Sequence, residues 1–342
     1  MNNTLHHRHY EVARRTVRLR HDSEVLAGNP WEDPTSRELC VYLPPGYHEG
    51  DQRYPVVWYL AAYTNSGASA PNWRGFEENV FSRVDRLIRG GEIGPVIVAA
   101  PDCFTTLGGN QYVDSPSLGR YASYLHRELI PLLDGEFRTR SGREHRAVVG
   151  KSSGGFGALH SVMRFPQYWG AVASHAGDVG FGLVYQPEFP LCAQRLTAAG
   201  SVDKFLRQFW ATEKRGAPDF AALMCLCLAA SYDPNPQRPT DIQLPFSLDT
   251  LEIDAQRWDR WCAFDPLTLV EEYADPLKSL QAVYIDVGDR DEYRIQYGSR
   301  RLSKRLSALG VQHHYEEFQG THRRLDHRLD MSLPMICEAI GA

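Results

Sequence analysis

The chain has 342 residues and a formal net charge of −5, with 43% hydrophobic and 23% charged residues. That is an ordinary globular composition with enough apolar residues for a sizeable core, and the interspersed charges argue against nucleic acid or an anionic membrane as the main partner. No apolar run reaches the ~20 residues of a membrane span, and Met1-Asn2-Asn3-Thr4-Leu5-His6-His7-Arg8-His9 lacks the apolar core of a secretory signal.

The histidines of that first segment read as a frayed basic terminus and not as a metal site. Seven scattered cysteines, odd in number and without a C-x-x-C pair, predict free and mostly buried thiols in a reducing, cytoplasmic setting.

Residues 13–21 and 37–43 alternate as an antiparallel pair at a sheet edge, the second run stopping at Pro44-Pro45-Gly46. Residues 55–62 and 95–100 are continuous apolar runs, as expected of strands buried on both faces. Between them, 77–89 has a helical pattern that stops at Gly90-Gly91. Helical periodicity returns over 121–133, and Val148-Val149 begins another strand. Residues 170–174 and 282–287 read as strands, 294–309 as a helix ending at Gly310, 311–318 as a strand and 324–340 as a final helix. Strands separated by helices predict an α/β class, with a mostly parallel central sheet covered on both faces.

Residues 177–265 break this alternation. They are rich in proline and aromatics, with helical patterns at 202–213 and 218–230 and a proline-punctuated loop at 233–239. Lying between two core strands, the stretch is expected to be a lid- or cap-like insertion over the C-terminal edge of the sheet, where open α/β sheets bind ligands. The whole of 1–342 is otherwise read as a single domain.

Chemistry concentrates at Gly150-Lys151-Ser152-Ser153-Gly154, a G-x-S-x-G between a short apolar strand and a helix. A serine on so sharp a turn needs small neighbours, and the following helix points its first amides at negative charge developing near Ser152. A nucleophilic serine needs a base and a group to orient that base. The base should follow the last strand. His322, in a glycine-containing loop, fits better than His313 and His314 within the strand or His327 within the final helix. The acid should follow the preceding strand, where Asp289 and Asp291 stand, with Asp286 and Asp178 as competitors. An oxyanion hole needs two backbone amides: Ser153, and one from Ala61-Ala62-Tyr63-Thr64, best Tyr63.

The order of Leu43-Pro44-Pro45-Gly46-Tyr47, Pro101-Asp102, Gly108-Gly109 before Tyr112, the Gly-Lys-Ser-Ser-Gly-Gly elbow, Asp286 to Tyr293 and Gly320-Thr321-His322 resembles the putative-esterase family. That family includes enterochelin esterases, S-formylglutathione hydrolases, feruloyl esterases and antigen 85-like mycolyltransferases. The resemblance implies an α/β-hydrolase fold and a triad of Ser152, Asp291 and His322, the acid being the second aspartate of D-x-G-x-x-D. It implies a serine esterase acting on a small-molecule ester or thioester, with an acyltransferase as the alternative and a non-catalytic binding module as the remotest reading. Neither a cofactor nor a metal is implied, since the chain lacks a dinucleotide fingerprint, a P-loop context and a His-Glu-x-x-His motif. The sequence leaves homo-oligomerisation open.

Overall fold

The structure, a computed structural model, describes residues 5–342. It opens with helix α1, Leu5–Ala13, where the sequence predicts a frayed terminus. The difference has a packing cause. Val12 is 1% exposed in the core, and Arg8 and Arg15 pair with Glu78 and Asp85.

Among the described residues eight strands form one sheet. They are β1 (Thr16–Asp22), β2 (Ser36–Tyr42), β3 (Val56–Leu60), β4 (Ile97–Pro101), β5 (Arg146–Lys151), β6 (Ala171–His175), β7 (Ala282–Gly288) and β8 (His314–Phe318). Their order is β1-β2-β4-β3-β5-β6-β7-β8. β1 runs antiparallel to β2, and β2 antiparallel to β4. From β4 onward every pairing is parallel. The buried strands are the continuous apolar runs of the sequence, because a sheet covered on both faces leaves no position for an exposed polar side chain.

Helix α2 (Val80–Arg89) starts at Asn79, whose side chain caps it by accepting from the Ser82 amide at 2.7 Å. Helix α3 (Ser153–Arg164) follows β5 directly. The helical stretch predicted at 121–133 runs on to Glu136 and includes a π-helical turn at Tyr124–Leu129. The predicted final helix divides into a 3₁₀ turn, Leu325–Arg328, and an α-helix, Leu329–Ala339.

The core has two faces. Trp58, Val148, Val172 and Ile285 point to one. Val57, Val149, Ala173 and Tyr284 point to the other, beneath α2 and the C-terminal helix. Each fully buried valine contributes about 1.5–3 kcal/mol relative to exposure. The cysteines lie buried as free thiols, apart from the partly exposed Cys262.

Residues 177–265 hold more helix than the two segments predicted. They form α4 (Phe189–Ala199), α5 (Val202–Ala211), α6 (Ala217–Tyr232) and α7 (Ala255–Cys262). Pro190 lies in the first turn of α4, where its missing N–H is harmless, so it opens a helix instead of breaking one. Phe189, Phe205 and Phe209 are buried, and Phe189 stacks on Phe246 at 4.2 Å. Phe181 and Tyr232 also pack on Phe156 of α3, so the segment's apolar side chains join the core on that face of the sheet. No helix of the described residues is long and apolar enough to cross a membrane.

Candidate active site

The turn between β5 and α3 forces the local geometry. Ser152 takes φ 54° and ψ −126°, a strained conformation for a residue with a side chain. A Cβ on Gly150 would stand 2.2 Å from the Gly154 carbonyl oxygen, and one on Gly154 would stand 2.1 Å from that of Leu60. Only glycine lets strand and helix approach this closely. The Ser152 amide donates to the His175 carbonyl at 2.9 Å, fastening the turn to β6.

Three of the residues singled out from sequence come together here. The Ser152 hydroxyl lies 2.9 Å from Nε2 of His322, and Nδ1 of His322 lies 2.7 Å from Oδ2 of Asp291. Asp291 is 3% exposed, and its other oxygen accepts the Tyr293 amide at 2.9 Å. A buried carboxylate on Nδ1 holds that nitrogen as the N–H, leaving Nε2 as acceptor toward the serine. The Tyr293 ring meets the imidazole edge-on at 4.8 Å, and the His322 amide donates to Glu292 at 2.6 Å. That bond helps to hold the Glu292 carboxyl below its usual range, although burial opposes it.

The competing residues are occupied elsewhere. The Asp289 carboxylate accepts the Gly320 amide at 3.0 Å, so it braces the histidine loop and is more than a solvated turn residue. Asp286 is fully buried. Its side chain binds His175 at 2.7 Å and Arg328 at 2.8 Å, which takes it out of reach of the acid role the sequence left open to it. His313 bonds Ser303 and the Val311 carbonyl, His314 stacks on Tyr284, and His327 bonds the Arg324 carbonyl.

Asp178 lines the same cleft as Ser152 and His322. Its carboxylate accepts from Tyr185 at 2.9 Å and from Gln111 at 3.5 Å. Burial lifts this acid from 3.8 to about 6, although His322, Tyr185 and Gln111 each pull the other way. Gln111 also accepts the Ser153 hydroxyl. Sequence reasoning passed over Gln111, whose one local sign is its place between Gly108-Gly109 and Tyr112. It adopts φ 55°, one of the few positive values on a side-chain-bearing residue.

Of the two proposed amide donors, Ser153 is the first residue of α3, and Tyr63 lines the cleft from the loop after β3. The Tyr63 hydroxyl donates to the Leu107 carbonyl at 2.8 Å, and the Thr64 amide to Gly108 at 2.9 Å, which fixes that loop. The cleft measures about 530 Å³, and residues 177–265 supply one wall of it through Val184, Glu188, Arg215, Phe220 and Met224. Trp210 faces a separate groove with Phe104 and Thr106, while Phe189, Phe205 and Phe209 are core. None of these four aromatics walls the cleft. The aromatic of this segment that does so is Phe220, 42% exposed, beside Tyr185.

A mostly parallel sheet, a serine on the β5–α3 elbow and an acid and a histidine on the loops after β7 and β8 define an α/β-hydrolase. A family model described as "Putative esterase" matches residues 34–334. The chain belongs to this family of esterases.

Over 154 residues it is 28% identical to esterase Rv1288 of Mycobacterium tuberculosis, covering 42% of this chain and 30% of that one. Over 167 residues it is 28% identical to an endo-1,4-beta-xylanase/feruloyl esterase of Xylanibacter ruminicola, covering 46% and 21%. These alignments span less than a third of either relative. Among solved structures, a ferulic acid esterase superposes with a TM-score of 0.59 at 19% identity, over 95% of this chain and 98% of that one. The S-formylglutathione hydrolase FrmB of Staphylococcus aureus superposes at 0.57 and 13% identity, over 96% and 98%.

Proposed function

We propose that the chain hydrolyses carboxylic esters or thioesters through an acyl-enzyme formed on Ser152. The observation that carries this reading is the unbroken chain of hydrogen bonds from Asp291 through His322 to the Ser152 hydroxyl. Ser152 Oγ attacks the ester carbonyl carbon while its proton passes to Nε2 of His322. Asp291 keeps the imidazole in the productive tautomer and stabilises the imidazolium. The developing oxyanion is met by the amides of Ser153 and Tyr63. Collapse breaks the bond to the leaving oxygen or sulfur, which takes the proton from His322. A water molecule, deprotonated by the same imidazole, then attacks the acyl-enzyme; the departing Ser152 oxygen recovers the proton and the acid is released. In this reading residues 177–265 act as a lid that shapes the acyl pocket.

The test is a fluorophosphonate label. Covalent attachment at Ser152, absent in Ser152→Ala and accompanied by turnover of simple aryl esters, is the expected result. An unlabelled Ser152 in folded protein would overturn the reading. Adding a competing alcohol to the turnover assay separates hydrolysis from acyl transfer, since transfer would yield the new ester in place of the free acid.

A further inference from the structure

Lys151, His175, Asp286 and Glu316 are register partners across β5, β6, β7 and β8. They form one polar row along the C-terminal end of the sheet face that otherwise carries Val149, Ala173 and Tyr284. Three residues of the chain after His322 meet the four members of this row. Asp326 pairs with Lys151. Arg328 reaches Asp286 at 2.8 Å and Glu316 at 2.6 Å. The Ser332 hydroxyl lies 2.9 Å from Nε2 of His175, whose Nδ1 lies 2.7 Å from Asp286.

The middle of this arrangement is dry, with His175 2% exposed, Asp286 and Ser332 fully buried and Arg328 6% exposed, whereas Lys151 and Glu316 at the ends of the row are partly exposed. Burial opposes ionisation of Asp286, yet His175 and Arg328 more than offset it and hold the carboxyl below its usual range.

The row touches each strand end that leads to Ser152, Asp291 or His322. Lys151 directly precedes Ser152. His175 accepts the Ser152 amide through its carbonyl, and Asp286 accepts the Ala176 amide through its own at 2.7 Å. Asp286 also begins the segment leading to Asp291, and Asp326 and Arg328 follow His322. Hydrogen bonds to the acid loop secure the histidine loop upstream, through Gly320. Downstream, the ion pairs to the row hold it.

We propose that this seam sets the placement of His322 against Ser152, with Lys151 and Asp326 as positioning residues and Arg328 as their buried counterpart. The proposal rests on the triad reading above. A hydroxyl–imidazole bond tolerates little displacement, and a shift near 1 Å can cost about 10²-fold in rate. A seam serving only as scaffold would change stability and leave the imidazole where it is.

The experiment compares Lys151→Met, Asp326→Asn and their double variant, all at partly exposed positions, with Arg328→Lys and Arg328→Met. Arg300→Met, which breaks the surface pair to Glu317, is the control. Three readouts are taken: Tm, the kcat and KM of an aryl ester, and the downfield proton resonance of His322 Nδ1. Lys151→Met and Asp326→Asn should each lower kcat about 10- to 100-fold with KM within about twofold, and the double variant should fall within about twofold of the worse single. The Nδ1 resonance should shift or broaden in each. Arg328→Lys should recover most of the kcat that Arg328→Met loses, and Arg300→Met should change none of the three readouts beyond Tm.

If kcat stays within about twofold in both Lys151→Met and Asp326→Asn while the resonance is unmoved, the seam is scaffold only. A resonance displaced by Lys151→Met in protein that turns over no ester would support the seam and defeat the esterase reading, so the two can fail separately.

Discussion

The Asp178 carboxylate accepts the Tyr185 hydroxyl at 2.9 Å while lining the cleft beside His322. Its folded-state pKa is raised by burial from 3.8 to about 6, so between those values the folded protein keeps a proton that the unfolded chain has released. The stabilisation from that proton is complete below the unfolded value and is lost as pH rises through about 6. Asp178→Asn has no such proton to lose. Its Tm should therefore gain on wild type as pH rises from about 4 to about 7. A Tm difference constant across that range would show that burial does not perturb this acid.

Ser152→Ala should fold normally, because it removes one hydroxyl at a turn whose shape the glycines set. Its kcat should fall by about 10⁴- to 10⁶-fold. Ser153→Ala loses only the bond to Gln111 and keeps its amide, so it should cost about 1 kcal/mol of stability and less than tenfold in kcat. Turnover by Ser152→Ala within tenfold of wild type would remove the serine from the chemistry.

The aspartates near the end of β7 separate by environment. Asp291→Asn should depress kcat about 10²- to 10⁴-fold with little change in Tm, since the amide fills the same space but favours the wrong imidazole tautomer. Asp286→Asn strands Arg328 and His175 in the core and should destabilise by about 3 kcal/mol or more. Asp289→Asn retains an oxygen for the Gly320 amide and should be near neutral in both kcat and Tm. Kinetics and thermal melts on the three variants decide the matter; the acid is misassigned if Asp291→Asn is as active as Asp289→Asn.

Phe220 and Met224 should govern acyl preference. Replacing either with alanine widens the cleft, and the ranking of esters by acyl length should shift toward longer chains. Trp210→Ala should leave that ranking unchanged, because Trp210 opens on the other groove and donates to the Thr106 carbonyl at 3.2 Å. An ester panel in which Trp210→Ala reorders the substrates and Phe220→Ala does not would place the acyl group elsewhere.

The parallel strands are legible because Val56–Leu60 and residues 171–173 are buried on both faces, which favours a continuous apolar run. The elbow was legible for a related reason: contacts near 2 Å forbid any side chain at Gly150 and Gly154. Local pattern fixes less at β7, where three aspartates fall within a few residues and only tertiary neighbours tell a triad acid from a buried anchor. The residues that wall the cleft are not legible in sequence, because an aromatic in a helix looks the same whether it packs inward, as Phe209 does, or borders a cleft, as Phe220 does. The Lys151–Asp326 pair left no trace at all, since it depends on strand register and on the path of a distant loop.

Ser152, Asp291 and His322 sit on the framework loops after β5, β7 and β8, whereas Phe220, Met224 and Arg215 belong to residues 177–265, whose aromatics pack on one another and on Phe156 of α3. In the function proposed above, reactivity and substrate choice fall in different stretches of chain. Because Phe181 and Tyr232 of that segment pack on Phe156 of α3, grafting the segment between relatives would carry its acyl preference only if the shared core travelled with it.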